Sequence, residues 1–408
     1  MAGCGGSVSS TASKTPASTV TGSKPPAIPA NMSGDSWSIM QLGTAIGTGR
    51  LADVSCPSPN ACIAVAAATD VSAITAYSWN GSSWINISPE GPIGTLSGIS
   101  CTSFSVCMTA GNNLGQVGAN TGYSADPNGV EPLAAEWNGA GWTRTQTANP
   151  SGNGTLTDVA CTSATTCMAV GYTATAVASP VVPLAEQWNG TTWSITATPE
   201  PSGGGKLTGI SCASPSACMA VGQNGPAGNS TTFAEQWNGS AWSIVPMPSP
   251  TGSSSLTGVS CSSADTCMAV GSVSAACGSC STPFAEQWNG SAWSTISIPN
   301  RGAIGSLASV SCTLANDCMS VGYELSGTAQ PGCVSGCGGS RVPLTEHWNG
   351  AAWSAVTTPN PGGGGALDGI ACTSPDSCMA VGMIGNGASG TGTTSASQPL
   401  VEQWGATS

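Results

Sequence analysis

Charge is scarce in this 408-residue chain. Only 6% of its residues are Asp, Glu, Lys or Arg, against roughly 25% in an ordinary soluble domain. Seven Lys and Arg cannot build a groove that tracks phosphates, which excludes nucleic-acid binding. A single histidine, His347, excludes a His-based metal cluster and leaves little for an ordinary Ser-His-Asp triad. No run of about 20 apolar residues occurs, so nothing here spans a membrane as a helix. What the chain has instead is 56 Gly, 28 Pro, 19 Cys and 14 Trp. Low charge with many Gly and Ser is also a mark of disorder. A hydrophobic content of 40% with 14 Trp argues for a large packed core instead. The net charge of −12 supports solubility and disfavours anionic partners without identifying any partner.

The sequence is organised by a repeat. Leu-x-x-[Val/Ile]-[Ser/Ala]-Cys-x5-Cys-Met-Ala-Val-Gly recurs seven times with variations. Its cysteines are Cys56/Cys62, Cys101/Cys107, Cys161/Cys167, Cys212/Cys218, Cys261/Cys267, Cys312/Cys318 and Cys372/Cys378. A segment like Phe-Ala-Glu-Gln-Trp-Asn-Gly-Ser-Ala-Trp-Ser follows each pair. Its tryptophans are Trp79/Trp84, Trp137/Trp142, Trp188/Trp193, Trp237/Trp242, Trp288/Trp293 and Trp348/Trp353. The seventh repeat has only Trp404. Its missing partner is Trp37, because Gly-Asp-Ser-Trp-Ser-Ile at 34–39 matches Gly-Ser-Ala-Trp-Ser-Ile at 239–244. A repeat divided between the two ends is what a closed ring needs, whereas an open solenoid needs capping repeats.

Each repeat holds four short strand-like runs, which in the fourth repeat are 207–212, 218–222, 232–237 and 242–245. Asn-Gly after the first Trp marks a tight hairpin. Four strands in about 50 residues is the arithmetic of a propeller blade. The expected fold is all-β: a seven-bladed β-propeller of four-stranded blades over 34–408, its last blade closed by the N-terminal strand. A β-solenoid is the alternative, but it gives no reason for the divided repeat. Helical repeats fail because Gly, Pro, Ser and Thr are too dense and no 3.6 period occurs. Residues 1–33 carry no repeat and read as a flexible Ser/Thr/Pro/Gly-rich tether.

Cys-x5-Cys spans the hairpin of the first and second strands, so each pair is expected to form a disulfide. Seven such bridges imply an oxidising, extracytoplasmic compartment. Cys277/Cys280 and Cys333/Cys337 lie in loops of adjacent blades. Disulfides are expected there too, with a four-thiolate zinc site as the alternative. No metal or cofactor is otherwise expected. The Trp pairs read as blade packing rather than sugar stacking, because they recur in every repeat. Glu186, Glu235, Glu286, Glu346 and Glu402 precede the first Trp by two residues. Their recurrence suggests a repeated hydrogen bond to a turn backbone nearby, not a ring of catalytic acids. His347 takes the place of a Gln and reads as a tolerated substitution.

Variation concentrates between the second and third strands, with the longest loops at 111–133, 271–283, 322–343 and 382–399. A propeller gathers these loops on one face, and rigid blades presenting variable loops make a binding face. The candidate ligand-binding residues there are Asp70, Tyr123, Asp126, Glu131, Tyr172, Tyr323, Glu324 and Arg341. They form no catalytic set.

The chain resembles secreted bacterial β-propellers of actinobacterial type over residues 34–408, on the strength of Ser-Cys…Cys-Met-Ala-Val-Gly…Glu-Gln-Trp-Asn-Gly-x-x-Trp. That resemblance implies a propeller and export, and no particular activity. The Asn-Gly-x-x-Trp hairpin is also similar to the Asp-box turn of sialidase-like propellers, with Trp237 where that box has Asp. Such an enzyme would need three arginines around a carboxylate, and this chain has Arg50, Arg144, Arg301 and Arg341 in all. Ala2-Gly3-Cys4 resembles the end of a bacterial lipoprotein signal, which would make Cys4 a lipidated anchor. The charged and apolar parts of such a signal do not precede it. The expected function is therefore a non-catalytic, extracytoplasmic binding module for a glycan or a protein at the cell surface. An assembly role in the cell envelope is the alternative, and a glycan-cleaving hydrolase or lyase a further one. A carboxylate pair at the channel mouth would favour the enzyme, and shallow pockets repeated by blade would favour a lectin.

Overall fold

Every repeat folds as one antiparallel sheet of four strands, giving seven sheets. The computed structural model describes residues 35–40, 49–67, 75–89, 94–113, 130–148, 153–174, 180–226, 228–248, 250–274, 281–299, 304–326, 339–362, 364–385 and 397–406. All regular elements among them are strands. The protein is a seven-bladed β-propeller. Blade 4 is representative, with strands Gly205–Ser214, Ala217–Asn224, Thr231–Trp237 and Trp242–Val245. Its first two strands outrun the expected ends because pairing continues past the cysteines, from Gly205↔Asn224 to Ser214↔Ala217.

The first strands of blades 1 to 7 are Arg50–Ser58, Thr95–Ser103, Gly154–Ser163, Gly205–Ser214, Ser254–Ser263, Gly305–Leu314 and Gly365–Ser374. They stand side by side around the axis and touch one another. The Ser before the first Cys explains part of the motif. Ser55, Ser100, Ser211, Ser260 and Ser311 each accept the N–H of the next blade's first cysteine at 2.9–3.0 Å. Blades 3 and 7 carry Ala160 and Ala371 there and forgo the bond.

A bulge follows the motif leucine in every first strand, as between Leu207 and Gly209. The bulged Thr208 turns its hydroxyl to Val221 O of its own blade at 3.1 Å and to Leu256 O of the next at 2.7 Å. Thr157 and Thr257 do the same. The glycine ending Met-Ala-Val-Gly faces this bulge. A Cβ on Gly222 would overlap the carbonyl oxygen of Lys206, so close approach rather than an unusual φ dictates glycine.

All seven expected cysteine pairs are disulfide-bonded: Cys56–Cys62, Cys101–Cys107, Cys161–Cys167, Cys212–Cys218, Cys261–Cys267, Cys312–Cys318 and Cys372–Cys378. The two halves of each bridge differ in depth. The first cysteine is half-buried, while the second belongs to the core between its own blade and the preceding one. Register is the reason. Each second cysteine lies opposite the first Trp of its blade, as in Cys62↔Trp79, Cys267↔Trp288, Cys318↔Trp348 and Cys378↔Trp404.

Each Trp pair meets at a tilt across the two outer strands, with centroids 5.4–5.9 Å and planes 39–51° apart. In blades 2, 3 and 4 the second indole donates to the preceding blade, Trp142 Nε1 to Ile87 O, Trp193 Nε1 to Thr145 Oγ1 and Trp242 Nε1 to Thr196 Oγ1. In blades 2 and 4 the first donates to its own cysteine turn, Trp137 Nε1 to Phe104 O and Trp237 Nε1 to Pro215 O. The tryptophans therefore fill the wedges between blades. Asn238 folds the outer turn by accepting Ser240 N and Ala241 N, while Gly239 takes φ +93°.

The ring closes by strand pairing. Asp35–Ile39 lies antiparallel to Gln398–Ala406 and sets Trp37 opposite Trp404. The cysteines Cys4, Cys277, Cys280, Cys333 and Cys337, and the tether, lie outside the described residues.

Candidate functional site

The throat of the ring is built by the residue two places after each motif leucine: Asp53, Gly98, Asp158, Gly209, Gly258, Ser309 and Gly369. Backbones meet here. A Cβ on Gly209 would stand 3.1 Å from Gly258 Cα, and one on Gly369 2.7 Å from Asp53 Cα. Two blades nevertheless carry carboxylates. Asp53 Oδ2 accepts Ile99 N of blade 2 at 2.9 Å. Asp158 accepts Val159 N at 2.8 Å and Ile210 N of blade 4 at 2.9 Å. Gly98 separates the two acids, and a Cβ on it would come within 2.6 Å of Asp158 Oδ1. Burial pushes Asp53 up to about 8, and the charge of Asp158 adds to this, while the Ile99 and Val54 amides oppose it. Burial likewise lifts Asp158 to about 7 against the Ile210 and Val159 amides.

The sequence reading missed this pair. Its signal was the repeat itself, in which Asp replaces Gly or Ser at one position in two blades. Both acids are occupied in binding the next blade's backbone.

At the loop-bearing end of the ring, three blades bring four side chains together. Arg341 of blade 6 lies over the Tyr323 ring, 4.4 Å from its centroid. Arg50 of blade 1 donates to Asp368 of blade 7 through Nε at 2.6 Å and Nη2 at 2.7 Å. Asp368 takes the bulge position held by Thr208 in blade 4. Its side chain is 9% exposed and that of Arg50 49%. Burial raises Asp368 to about 6, checked by the charge and hydrogen bonds of Arg50 and by the charge of Arg341.

The structure thus joins Tyr323 and Arg341 among the expected ligand residues. Glu324 is next to Tyr323 on the same strand and points to the other face of the sheet. Glu131 and Tyr172 stand at the same end of blades 2 and 3, away from this cluster. Asp70, Tyr123 and Asp126 lie outside the described residues.

The disulfides form as expected, and their second halves lie deep. Cys62, Cys107, Cys167, Cys218, Cys267, Cys318 and Cys378 are only 1–4% exposed. The indole opposite each one and the preceding blade cover it, so these seven are core residues.

The glutamates depart from expectation. Glu186 does bind a connection backbone, accepting Ala148 N at 2.9 Å. Glu235, Glu286 and Glu402 are fully buried, and neither carboxyl oxygen of any has a partner among the described residues. The reason is in the connections. Ala148 lies six residues after Trp142, and the corresponding residues before blades 4, 5, 6 and 7 are Pro199, Pro248, Pro299 and Pro359. Proline has no N–H to donate.

His347 is buried, and its Nε2 lies 3.6 Å from Asp317 Oδ2 without a hydrogen-bond partner among the described residues. Blade 6 has changed both positions of a neighbouring pair that reads Thr166 and Gln187 in blade 3.

Shallow notches recur at the cysteine-turn end, between blades 7 and 1, 2 and 3, and 3 and 4. Each is open to solvent, has room for about one water molecule, and is lined by neighbouring disulfides with Gln403, Glu136 or Gln187. Ordinary ligand pockets are far larger, roughly 300–1,000 Å³. Among the described residues no group of three or more His, Cys, Asp or Glu is placed to hold a metal.

No protein-family model matches the chain, and no curated protein matches it. Solved structures do. YCF48 bound to a D1 peptide is 14% identical over 90% of this chain and 96% of that one, with a TM-score of 0.52. U3-55K is 10% identical over 91% and 98%, with a TM-score of 0.56. The phage phi92 endosialidase is 9% identical over 92% and 70%, with a TM-score of 0.51. At these identities the similarity establishes a shared propeller fold.

Proposed function

We propose that the protein is a non-catalytic binding module of the extracytoplasmic space that recognises a glycan or a protein through the loop-bearing end of its ring. The observation that carries this reading is the convergence at that end of Tyr323 and Arg341 with the Asp368–Arg50 pair. A flat aromatic ring beside a guanidinium and a carboxylate offers stacking and directed hydrogen bonds, and needs no reacting group. The acids of the throat are bound to backbone amides, which speaks against hydrolysis. A peptide on one similar propeller and an endosialidase in another mean that the fold alone decides nothing. Seven disulfides support an oxidising location, and a lipid on Cys4 would tether the module there.

Envelope assembly is the second reading. It is favoured by Ile85, Ile195 and Ile244, which are 44–47% exposed on the outermost strands.

The test is a broad glycan array and a capture experiment with extracellular proteins, using the oxidised, folded chain. Binding to one defined class that is lost in both Tyr323→Ala and Arg341→Ala supports the proposal. A folded sample that binds nothing and self-associates on sizing supports assembly in its place.

A further inference from the structure

We propose that the propeller is a ring adapted to acidic surroundings: Glu235, Glu286 and Glu402 serve as neutral acids between the blades, and the ring loosens as rising pH forces them to ionise. This goes beyond the binding reading and does not depend on it.

Each carboxyl lies in the apolar wedge between its own blade and the preceding one. Around Glu235 the wedge holds Met168, Val170, Phe233 and Trp237. Around Glu286 it holds Met219, Val221, Phe284 and Trp288. Around Glu402 it holds Met319, Val321, Leu400 and Trp404. The titratable and charged side chains on the opposing blade faces are Asp158 and Tyr172 for Glu235, Lys206 for Glu286, and Asp317, Tyr323, Arg341 and His347 for Glu402. None is hydrogen-bonded to these glutamates. The connection that supplies an N–H to Glu186 supplies proline to the others. A carboxylate in such a place has no donor, and burial is the influence that acts on it, so the neutral acid is the stable form.

Burial alone raises all three to about 8. In the unfolded chain each ionises near its ordinary 4.5, so the folded state binds the extra protons between the two values. Stability is full below about 4.5, falls as pH rises, and levels off above about 8. Each group changes the folding constant by about tenfold per pH unit in that window, and three together by about a thousandfold. Asp53 and Asp158 add to the same slope.

The test is denaturant unfolding of the oxidised protein from pH 4 to 9. The natural chain should lose stability steadily from about pH 5 to 8. Glu235→Gln/Glu286→Gln/Glu402→Gln should lose about three protons from the slope, and Glu235→Gln alone about one. Pro199→Ala is the sharper probe, because it offers Glu235 the N–H that Ala148 gives Glu186. It should lower the pH at which the loss ends while leaving the carboxyl in place. A natural chain whose stability is constant or rises from pH 5 to 8 overturns the proposal. So does a Glu235→Gln variant that keeps the natural slope.

Discussion

Trp37 lies at the ring's one non-covalent seam, and Trp37→Ala should open that seam selectively. The indole is 5% exposed and packs at a tilt on Trp404, with centroids 5.8 Å apart. Truncating a buried Trp costs about 3–5 kcal/mol. Trp242→Ala in blade 4 removes an equivalent indole, 6% exposed, at a similar cost. The consequences differ because the chain continues on both sides of Trp242. Its strand cannot leave without disturbing blades 4 and 5. Asp35–Ile39 pairs with a single strand, Gln398–Ala406, and can undock alone. Native-state hydrogen exchange separates the two cases. In Trp37→Ala the amides of 36–39 should exchange about a hundredfold faster or more, while blade 4 keeps its protection. In Trp242→Ala the loss should be spread over the ring. Protection of 36–39 that is unchanged in Trp37→Ala would refute the reasoning.

Two further expectations follow from the packing. Gly98→Ala should destabilise by about 1–3 kcal/mol in urea, because its Cβ meets Asp158; Gly141→Ala, with nothing within 4 Å, is the control, and equal effects would contradict the tight throat. Replacing Cys212 and Cys218 together by Ser should cost about 2 kcal/mol, as expected for a short closed loop, and an unchanged midpoint would show that the hairpin needs no bridge.

The fold was legible because the repeat carries it. Cysteine spacing located the inner hairpin, Asn-Gly located the outer one, and the unpaired Trp404 pointed to Trp37. All three rest on local rules that hold in every blade. Depth was not legible in the same way. Spacing paired Cys318 with Cys312, but only the neighbouring strand, which sets Trp348 opposite Cys318, buries it. The throat was less legible still. Leu-x-x-Val looks the same whether its third residue is Gly209 or Asp158, and only the convergence of seven strands on one axis makes that position special. The glutamates were half legible. Recurrence marked them as structural, but the bond inferred for all forms at Glu186 and not at Glu235, Glu286 or Glu402. The difference lay in Pro199 and its counterparts, which read from sequence as loop punctuation.

Where the charges break the repeat is itself informative. Thr157, Thr208 and Thr257 show that a neutral hydroxyl is enough to bridge adjacent blades at the bulge. Blade 7 uses Asp368 instead, and its partner is Arg50 at the start of blade 1. That junction is also the one whose outer strand comes from the far end of the chain. Elsewhere a short connection ties each blade to the next, and loss of one hydroxyl leaves them tethered. At the closing blade a bidentate ion pair fixes register directly across the inner strands, which a bifurcated hydroxyl cannot do as firmly. The pair is partly exposed, so its net contribution to stability is modest. Its value lies in geometry. It sets the start of the first strand of blade 1 against the bulge of blade 7, at the junction whose outer strand is borrowed from the other terminus.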